Sequence, residues 1–387
     1  MATRVGMEVS IAAAEAVKQA NADIIAAYPI TPQTHIVEHL SELVNDGELD
    51  AEFIPVESEH SAMSVCAGSS AAGARTFTCT SSQGLILMSE IVYAVASLRL
   101  PMLMILANRS LNSPLSIWND HSDVMSVRDC GWIQVFMENG QEVYDHVFIG
   151  FRVAEDRNVI IPFMMNIDGF MLTHVIEPIG LLEQEVVDRY LPPFQPLYRL
   201  HPNNPVTMGA FGPPILFTEA KKAQDEAFNK TMPHIIKAWQ EFGDLTGRYY
   251  HPIETYRTDE AKIVIITQGS LGETASIGID MMREEKEPVG LVKIRLWRPF
   301  PFAELREAVK EAELVVVMDR AISYGGPGGP LAGEVRSALY PQESRPRVAN
   351  FIIGLGGRDV APEDFVQMVQ QAKAQPGEWY EIYGVRE

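Results

Sequence analysis

Apolar and polar positions in the first third of the chain follow two alternating rhythms. Short apolar runs at residues 22–27, 52–56, 75–80 and 101–107 read as strands. Residues 34–44 place Ile36, Val37, Leu40, Leu43 and Val44 at helical spacing. Residues 61–74, rich in small side chains, and residues 85–98, rich in apolar ones, read as helices. Strands alternating with helices predict the α/β class, with a parallel sheet covered on both faces. The working loops of such sheets lie at the carboxyl ends of the strands. Three stretches fall there: residues 28–32, 57–60 and 108–123.

The middle of the chain is less regular. Residues 191–212, rich in Pro and Asn, read as loop, and residues 218–242 as one long amphipathic helix. The last part starts a second α/β unit. Its expected strands are residues 262–267, 290–296, 314–318 and 349–353, and its expected helices are residues 273–285, 302–313, 331–339 and 362–374. The polar stretch at 249–259 predicts a boundary, dividing the chain into residues 1–250 and 251–387.

Composition narrows the function. The 387 residues carry 31 Lys plus Arg against 51 Asp plus Glu, a formal net charge of -20. So acidic a chain lacks the basic face that a phosphate backbone demands, so no nucleic-acid partner is expected. Its three cysteines, Cys66, Cys79 and Cys130, form no CxxC pair, which argues against a cluster or structural zinc held by this chain. The alanine-rich start is interrupted by Glu8, Glu15 and Lys18, and no uncharged apolar run approaches a membrane span. The expectation is a cytoplasmic protein with no membrane partner.

Candidate chemistry sits in the three loops. Glu59 follows a strand and precedes an apolar helix; alone it reads equally as a carboxylate favoured by the helix dipole or as a functional acid. Arg109 follows the apolar run at 101–107, where a guanidinium suits a small carboxylate, or a surface ion pair. Thr31 lies between Pro29 and Pro32 in a stiff loop, as a ligand contact or an ordinary helix start. His121, flanked by Asp120 and Asp123, reads as a hydrogen-bonded turn more readily than as a metal ligand. The glycine-rich run at 325–329 fits neither GxxxxGK[ST] nor GxGxxG, and reads as a tight turn or an anion cradle.

Taken together, the loops are more specific than any one of them. Tyr28-Pro29-Ile30-Thr31-Pro32, Glu57-Ser58-Glu59-His60, Thr80-Ser81-Ser82-Gln83-Gly84, and Asn108-Arg109 with His121-Ser122-Asp123 occur in that order. This set resembles the 2-oxoacid:ferredoxin oxidoreductases, and within them the α subunits that act on pyruvate. The resemblance runs over nearly the whole chain. It implies a thiamine-diphosphate-binding fold of the pyrimidine type over residues 1–250. Residues 251–387 would form an α/β domain like the transketolase C-terminal domain. It implies reversible, CoA-dependent oxidative decarboxylation of pyruvate to acetyl-CoA and CO2, with electrons passed to ferredoxin.

The resemblance also assigns residues. Glu59 matches the carboxylate that hydrogen-bonds the aminopyrimidine ring. Arg109 matches the arginine that grips the substrate carboxylate, and Thr31 the hydroxyl that bonds the substrate oxygens. Tyr28, Pro29, Ser58 and Gln83 match positions around the cofactor; His121 and Asp123 match supporting ones. The sequence lacks a Gly-Asp-Gly run followed by Asn, since Asp46-Gly47 follows Asn45 and Asp168-Gly169 follows Ile167. Mg2+ and the cofactor's diphosphate would then belong to a partner chain, as would the 4Fe–4S clusters. The implied partners are β, γ and δ-type subunits and ferredoxin. Two alternatives stand beside this reading. One is a sibling acting on 2-oxoglutarate, a branched-chain 2-oxoacid or oxalate, and the other a scaffold subunit without chemistry.

Overall fold

The computed structural model describes residues 3–377 and 379–386. Its larger sheet has seven strands in the order Leu296–Arg298, Ile133–Phe136, Phe163–Asp168, Leu103–Asn108, Thr76–Thr80, Ile24–Ala27 and Glu52–Pro55. Every neighbour pair is parallel except the first, where Leu296–Arg298 runs antiparallel to Ile133–Phe136. A second sheet of six strands has the order Trp379–Ile382, Arg347–Ile352, Leu314–Asp319, Ile263–Thr267, Val289–Ile294 and Ile253–Tyr256, with only the last antiparallel. A separate ribbon pairs Thr3–Glu8 with Ile176–Leu181.

Burial explains the unbroken apolar runs. Along Leu103–Asn108, Leu103, Ile105 and Ala107 enter one core, while Met104 and Leu106 enter another. A strand covered on both faces has no polar side to show. The first core packs the sheet against helices Val9–Gln19, Thr34–Asn45, Gly140–Ala154 and Met232–Thr246. The second is shared between the sheets. It joins helices Glu59–Ala72 and Ser82–Leu98 to Val264, Ile266, Val315 and Val317 of the six-stranded sheet. A third core fills the far face of that sheet.

The sequence reading needs correction in several places. The single helix expected at 218–242 is two helices, Pro214–Asn229 and Met232–Thr246. The break falls where the Thr231 hydroxyl bonds the Phe228 carbonyl at 2.7 Å and Pro233 offers no N–H. Only the second helix buries an apolar face; the first buries no residue at all. The stretch at 249–259 contains a strand, Ile253–Tyr256, paired with Val289–Ile294. The strand expected at 290–296 stops at Ile294, and the chain then crosses to the edge of the other sheet as Leu296–Arg298. The helix expected at 302–313 ends at Ala308.

Arg295 sits at that crossing. Its guanidinium meets Glu142 at 2.5 Å, Glu254 at 2.7 Å and the His251 carbonyl at 2.7 Å, and both Arg295 and Glu142 are buried. Burial would raise the Glu142 carboxyl, but the adjacent guanidinium holds it below its ordinary value. Removing one partner of a buried pair leaves a bare charge. Arg295→Met is therefore expected to lower stability by about 3–5 kcal/mol in denaturant unfolding, and adding Glu142→Gln to restore most of the loss.

Candidate functional site

The carboxyl ends of the central strands build a site from three loops. Ser58 caps the helix Glu59–Ala72, its hydroxyl accepting from the Ser61 amide at 3.3 Å. Glu59 is thereby fixed in the first turn. Its side chain is 6% exposed, and no hydrogen bond or ion pair holds its carboxylate within the described residues. A buried carboxylate without a partner is costly, and an outside ligand is the simplest remedy. Thr80 Oγ1, a buried hydroxyl without a partner, lies near it across Gly84, and the hydroxyl of Ser81, next in the chain, is also buried without a partner. A methyl placed on Gly84 would stand 2.7 Å from Glu59 Oε1 and 2.4 Å from Thr80 Oγ1, so only glycine lets both side chains lie against this backbone.

Arg109 follows the strand Leu103–Asn108 and is buried. Its Nη1 donates to the Thr31 carbonyl at 2.9 Å and its Nε to the Ser116 carbonyl at 3.0 Å. Burial pulls the guanidinium below its ordinary pKa, with Asp123 acting the other way. These two contacts leave Nη2 and one N–H of Nη1 for a ligand. Thr31 is exposed, and its carbonyl accepts from Arg109 Nη1, which holds the two residues together. Tyr28 and Pro29 are also exposed, and the Tyr28 carbonyl accepts from Gln33 at 2.8 Å, which closes the loop on itself. Gln83 is half-buried, its Oε1 lying 2.6 Å from the Ser82 hydroxyl.

Asp123 links these loops. It is wholly buried and accepts from the amides of Ser82, Arg109 and Val124 and from Asn108 Nδ2. Burial pushes its carboxyl up to about 7, against the pull of those donors. His121 Nε2 lies 2.8 Å from Asp168 Oδ1 in a buried pair. Asp168 also accepts from Arg320 at 2.9 Å, and from the amide and hydroxyl of Ser270 at 2.9 and 2.5 Å. Burial works against this carboxylate, yet Arg320 and His121 hold it well below the usual carboxylate range. Sequence reading gave Arg320 and Ser270 no role. They lie 152 and 102 residues from Asp168, and no local pattern links them to it.

Two other arginines and the glycine-rich run lie elsewhere. Arg99 donates to the carbonyls of Val159 and Ile160, at the far ends of the strands, and Arg128 pairs with Asp129. Residues 325–329 are filled by the protein's own groups. Asp319 accepts from the Leu331 and Ala332 amides at 2.8 and 3.1 Å, and a methyl on Gly329 would lie 2.0 Å from its Cγ. The anion at that helix start is a side chain. Among the described residues, no group of three or more His, Cys, Asp or Glu is arranged to hold a metal ion, and no helix is long and apolar enough to cross a membrane.

The helices flanking Glu59 present an uncommon outer face. On Glu59–Ala72 the exposed positions are Ser64, Gly68 and Ala72; on Ser82–Leu98 they include Ile86, Leu87, Tyr93 and Leu98. Neither helix contains Lys or Arg, and Glu90 is their one exposed carboxylate.

Comparison with known proteins agrees with this geometry. Residues 15–239 match the family described as pyruvate flavodoxin/ferredoxin oxidoreductase, thiamine diP-bdg, and residues 261–365 match pyruvate:ferredoxin oxidoreductase core domain II. The chain is 47% identical to pyruvate synthase subunit PorA of Methanothermobacter thermautotrophicus, covering 94% of this chain and 93% of that one. It is 45% identical to the PorA of Pyrococcus furiosus over 93% and 91% of the two chains. Ketoisovalerate oxidoreductase subunit VorA of Pyrococcus abyssi is 42% identical over 96% of each. Among solved structures, the 2-oxoglutarate:ferredoxin oxidoreductase of Magnetococcus marinus superposes with a TM-score of 0.69 at 19% identity. That match covers 95% of this chain but 65% of the other, under two thirds of its length. A split-gene transketolase superposes with a TM-score of 0.53 at 14% identity, covering 95% and 98%. Identity across both matched segments and nearly the full length of these relatives places the chain in the pyruvate:ferredoxin oxidoreductase family, an oxidoreductase family with a thiamine-diphosphate-binding domain.

Proposed function

We propose that this chain is the subunit that activates the cofactor and seats the substrate in a pyruvate:ferredoxin oxidoreductase. The observation that carries the proposal is the buried Glu59 carboxylate, which receives no hydrogen bond from the described residues and lies against Gly84 and Thr80. The residues fit a flat, hydrogen-bonding ring. Glu59 would accept from the protonated aminopyrimidine nitrogen of thiamine diphosphate, with Thr80 and Ser81 as the nearby polar wall, and Ser58, Gln83, Tyr28 and Pro29 around it. When bound, that cofactor supplies a carbon nucleophile and an electron sink for decarboxylation. Glu59 holds a proton at the ring nitrogen in a pocket where water is scarce and the interaction correspondingly strong. Arg109 orients the carboxylate of the 2-oxoacid with its free N–H groups, and Thr31 contacts its oxygens. The grip must stay moderate, because the carboxylate leaves as neutral CO2 and tight ground-state binding would slow its departure.

Pyruvate is the preferred 2-oxoacid. The neighbouring arginines 99 and 128 point elsewhere, and Arg320 is engaged by Asp168, so a dicarboxylate would find no second cation among them. The outer face of helices Glu59–Ala72 and Ser82–Leu98, charged only at Glu90, is where we place the partner that holds the diphosphate through Mg2+. Residues 1–250 are assigned to the pyrimidine-type domain, and residues 251–387 to a transketolase C-terminal-like domain. The 4Fe–4S clusters and CoA are assigned to further subunits of β, γ and δ type, with ferredoxin as acceptor. The buried free thiols of Cys66, Cys79 and Cys130 suit a cytoplasmic setting.

The assembled complex tests this directly. Glu59→Gln is expected to cut pyruvate-dependent, CoA-dependent dye reduction by roughly 10²–10⁴-fold while bound thiamine diphosphate stays. Unchanged turnover would remove Glu59 from the chemistry and favour a scaffold role. Arg109→Ala should raise the pyruvate KM with cofactor content kept; a parallel loss of cofactor would contradict its assignment to substrate. Gly84→Ala should lower cofactor content itself, because the added methyl would push the Glu59 carboxylate from its place. Pyruvate, 2-oxoglutarate and branched-chain 2-oxoacids compared side by side settle the substrate.

A further inference from the structure

We infer that Asp123 is the positioning residue that couples the two halves of the site, Glu59 on the cofactor side and Arg109 on the substrate side. The inference rests on the roles proposed above for those two residues. Asp123 lies in the first turn of the helix Ser122–Ser126, fully buried and without an ion pair. Its Oδ2 accepts from the Ser82 amide at 3.1 Å and the Arg109 amide at 3.0 Å. Its Oδ1 accepts from Asn108 Nδ2 at 3.0 Å and from the Val124 amide at 2.7 Å. One oxygen therefore ties together two loops that leave different strands.

Each bond leads on to a working side chain. Ser82 has φ +46°, a left-handed conformation that a residue with a Cβ keeps only when its surroundings hold it there. The Asp123 bond to its amide is such a hold, and the Ser82 hydroxyl, 2.6 Å from the Ser110 carbonyl, is a second. Two residues on comes Gly84, whose missing side chain lets Glu59 Oε1 lie against the backbone. In the other direction, the Arg109 amide anchors the backbone from which its guanidinium reaches the Thr31 carbonyl. Asp123 contacts neither the Glu59 carboxylate nor the guanidinium. It acts through the backbone of both loops. Asparagine is a partial substitute, because its single oxygen still serves two donors while its amide nitrogen faces the other two.

The test uses Asp123→Ala and Asp123→Asn in the assembled complex. Three readouts are taken: amide hydrogen exchange in peptides covering residues 80–85 and 108–112, the pyruvate KM against kcat, and the rate at which the C2 proton of bound thiamine diphosphate exchanges with deuterium. For Asp123→Ala, amides in both peptides should exchange about tenfold faster, the pyruvate KM should rise about tenfold and C2 exchange should slow about tenfold, with cofactor content unchanged. Asp123→Asn should fall between wild type and Ala in all three. A shift on one side only, no shift, or equal loosening of the strand Leu103–Asn108 would overturn the inference. So would an Asn variant no better than Ala. If the Ala variant does not assemble, the Asn variant decides alone: joint shifts in KM and C2 exchange support the inference, and a single or absent shift refutes it. Failure of the proposed roles themselves would show separately, as normal turnover in Glu59→Gln or normal KM in Arg109→Ala.

Discussion

The joint between the two sheets depends on the carboxylate of Asp168. It ends the strand Phe163–Asp168 of the larger sheet and takes Arg320 and Ser270 from loops that end two strands of the smaller one. A buried charge is tolerable only when its oxygens are filled, and here Oδ1 faces His121 while Oδ2 accepts from Arg320 and from the amide and hydroxyl of Ser270. The consequence is geometric. With the carboxyl ends of both sheets clamped to one point, the long loop between Arg109 and His121 cannot drift, because the His121 amide also donates to the Arg320 carbonyl at 2.8 Å. Arg109 and the joint between the two sheets therefore share one stretch of chain.

Two buried carboxylates at helix starts show how site and scaffold differ. Asp319 lies before the helix Pro330–Leu339 in space, accepts two of its first amides, and receives Asn350 Nδ2 at 2.9 Å. Nothing is left for a ligand. Glu59 lies within the first turn of its own helix, where the cap is already supplied by Ser58, and its oxygens receive no donor. Both residues are acidic and buried near free helix amides, and composition cannot separate them. What separates them is whether the protein completes the hydrogen bonding, as it does for Asp319 and does not for Glu59.

Much of this was legible in the sequence because the signals were local. Strands such as Leu103–Asn108 announce themselves by unbroken burial, and the three loops follow from where those strands end. The early elements, including the strand Thr3–Glu8 and the helices Val9–Gln19 and Gly140–Ala154, were passed over. Their small or mixed side chains blur the period until burial against the sheet is known. The split near Thr231 was hidden because Phe228 and Ile235 continue a helical rhythm across the break. The crossing of Leu296–Arg298 to the other sheet was not legible at all. It depends on Arg295 meeting Glu142, a pairing between residues 153 apart.

The same physics bears on why such a site needs company. Every contact that aims Glu59, Arg109 and Thr31 lies inside this chain, in backbone and side-chain bonds that are already made. The outer face of the two helices beside Glu59 is the opposite: nearly free of charge in a molecule of net charge -20, and lined by Ile86, Leu87 and Tyr93 next to small residues. The helix Pro214–Asn229 adds another unfilled surface, with no buried residue and with Ile215, Leu216 and Phe217 exposed. Exposed apolar area of this kind is uncommon on a free monomer, and close approach of another chain would dry the mouth beside Glu59. Drying matters to the chemistry, since a proton held between a carboxylate and a ring nitrogen is held more strongly as water leaves. With Glu59 in the proposed role, an acid set within one chain but dried by the approach of another would tie catalytic competence to assembly.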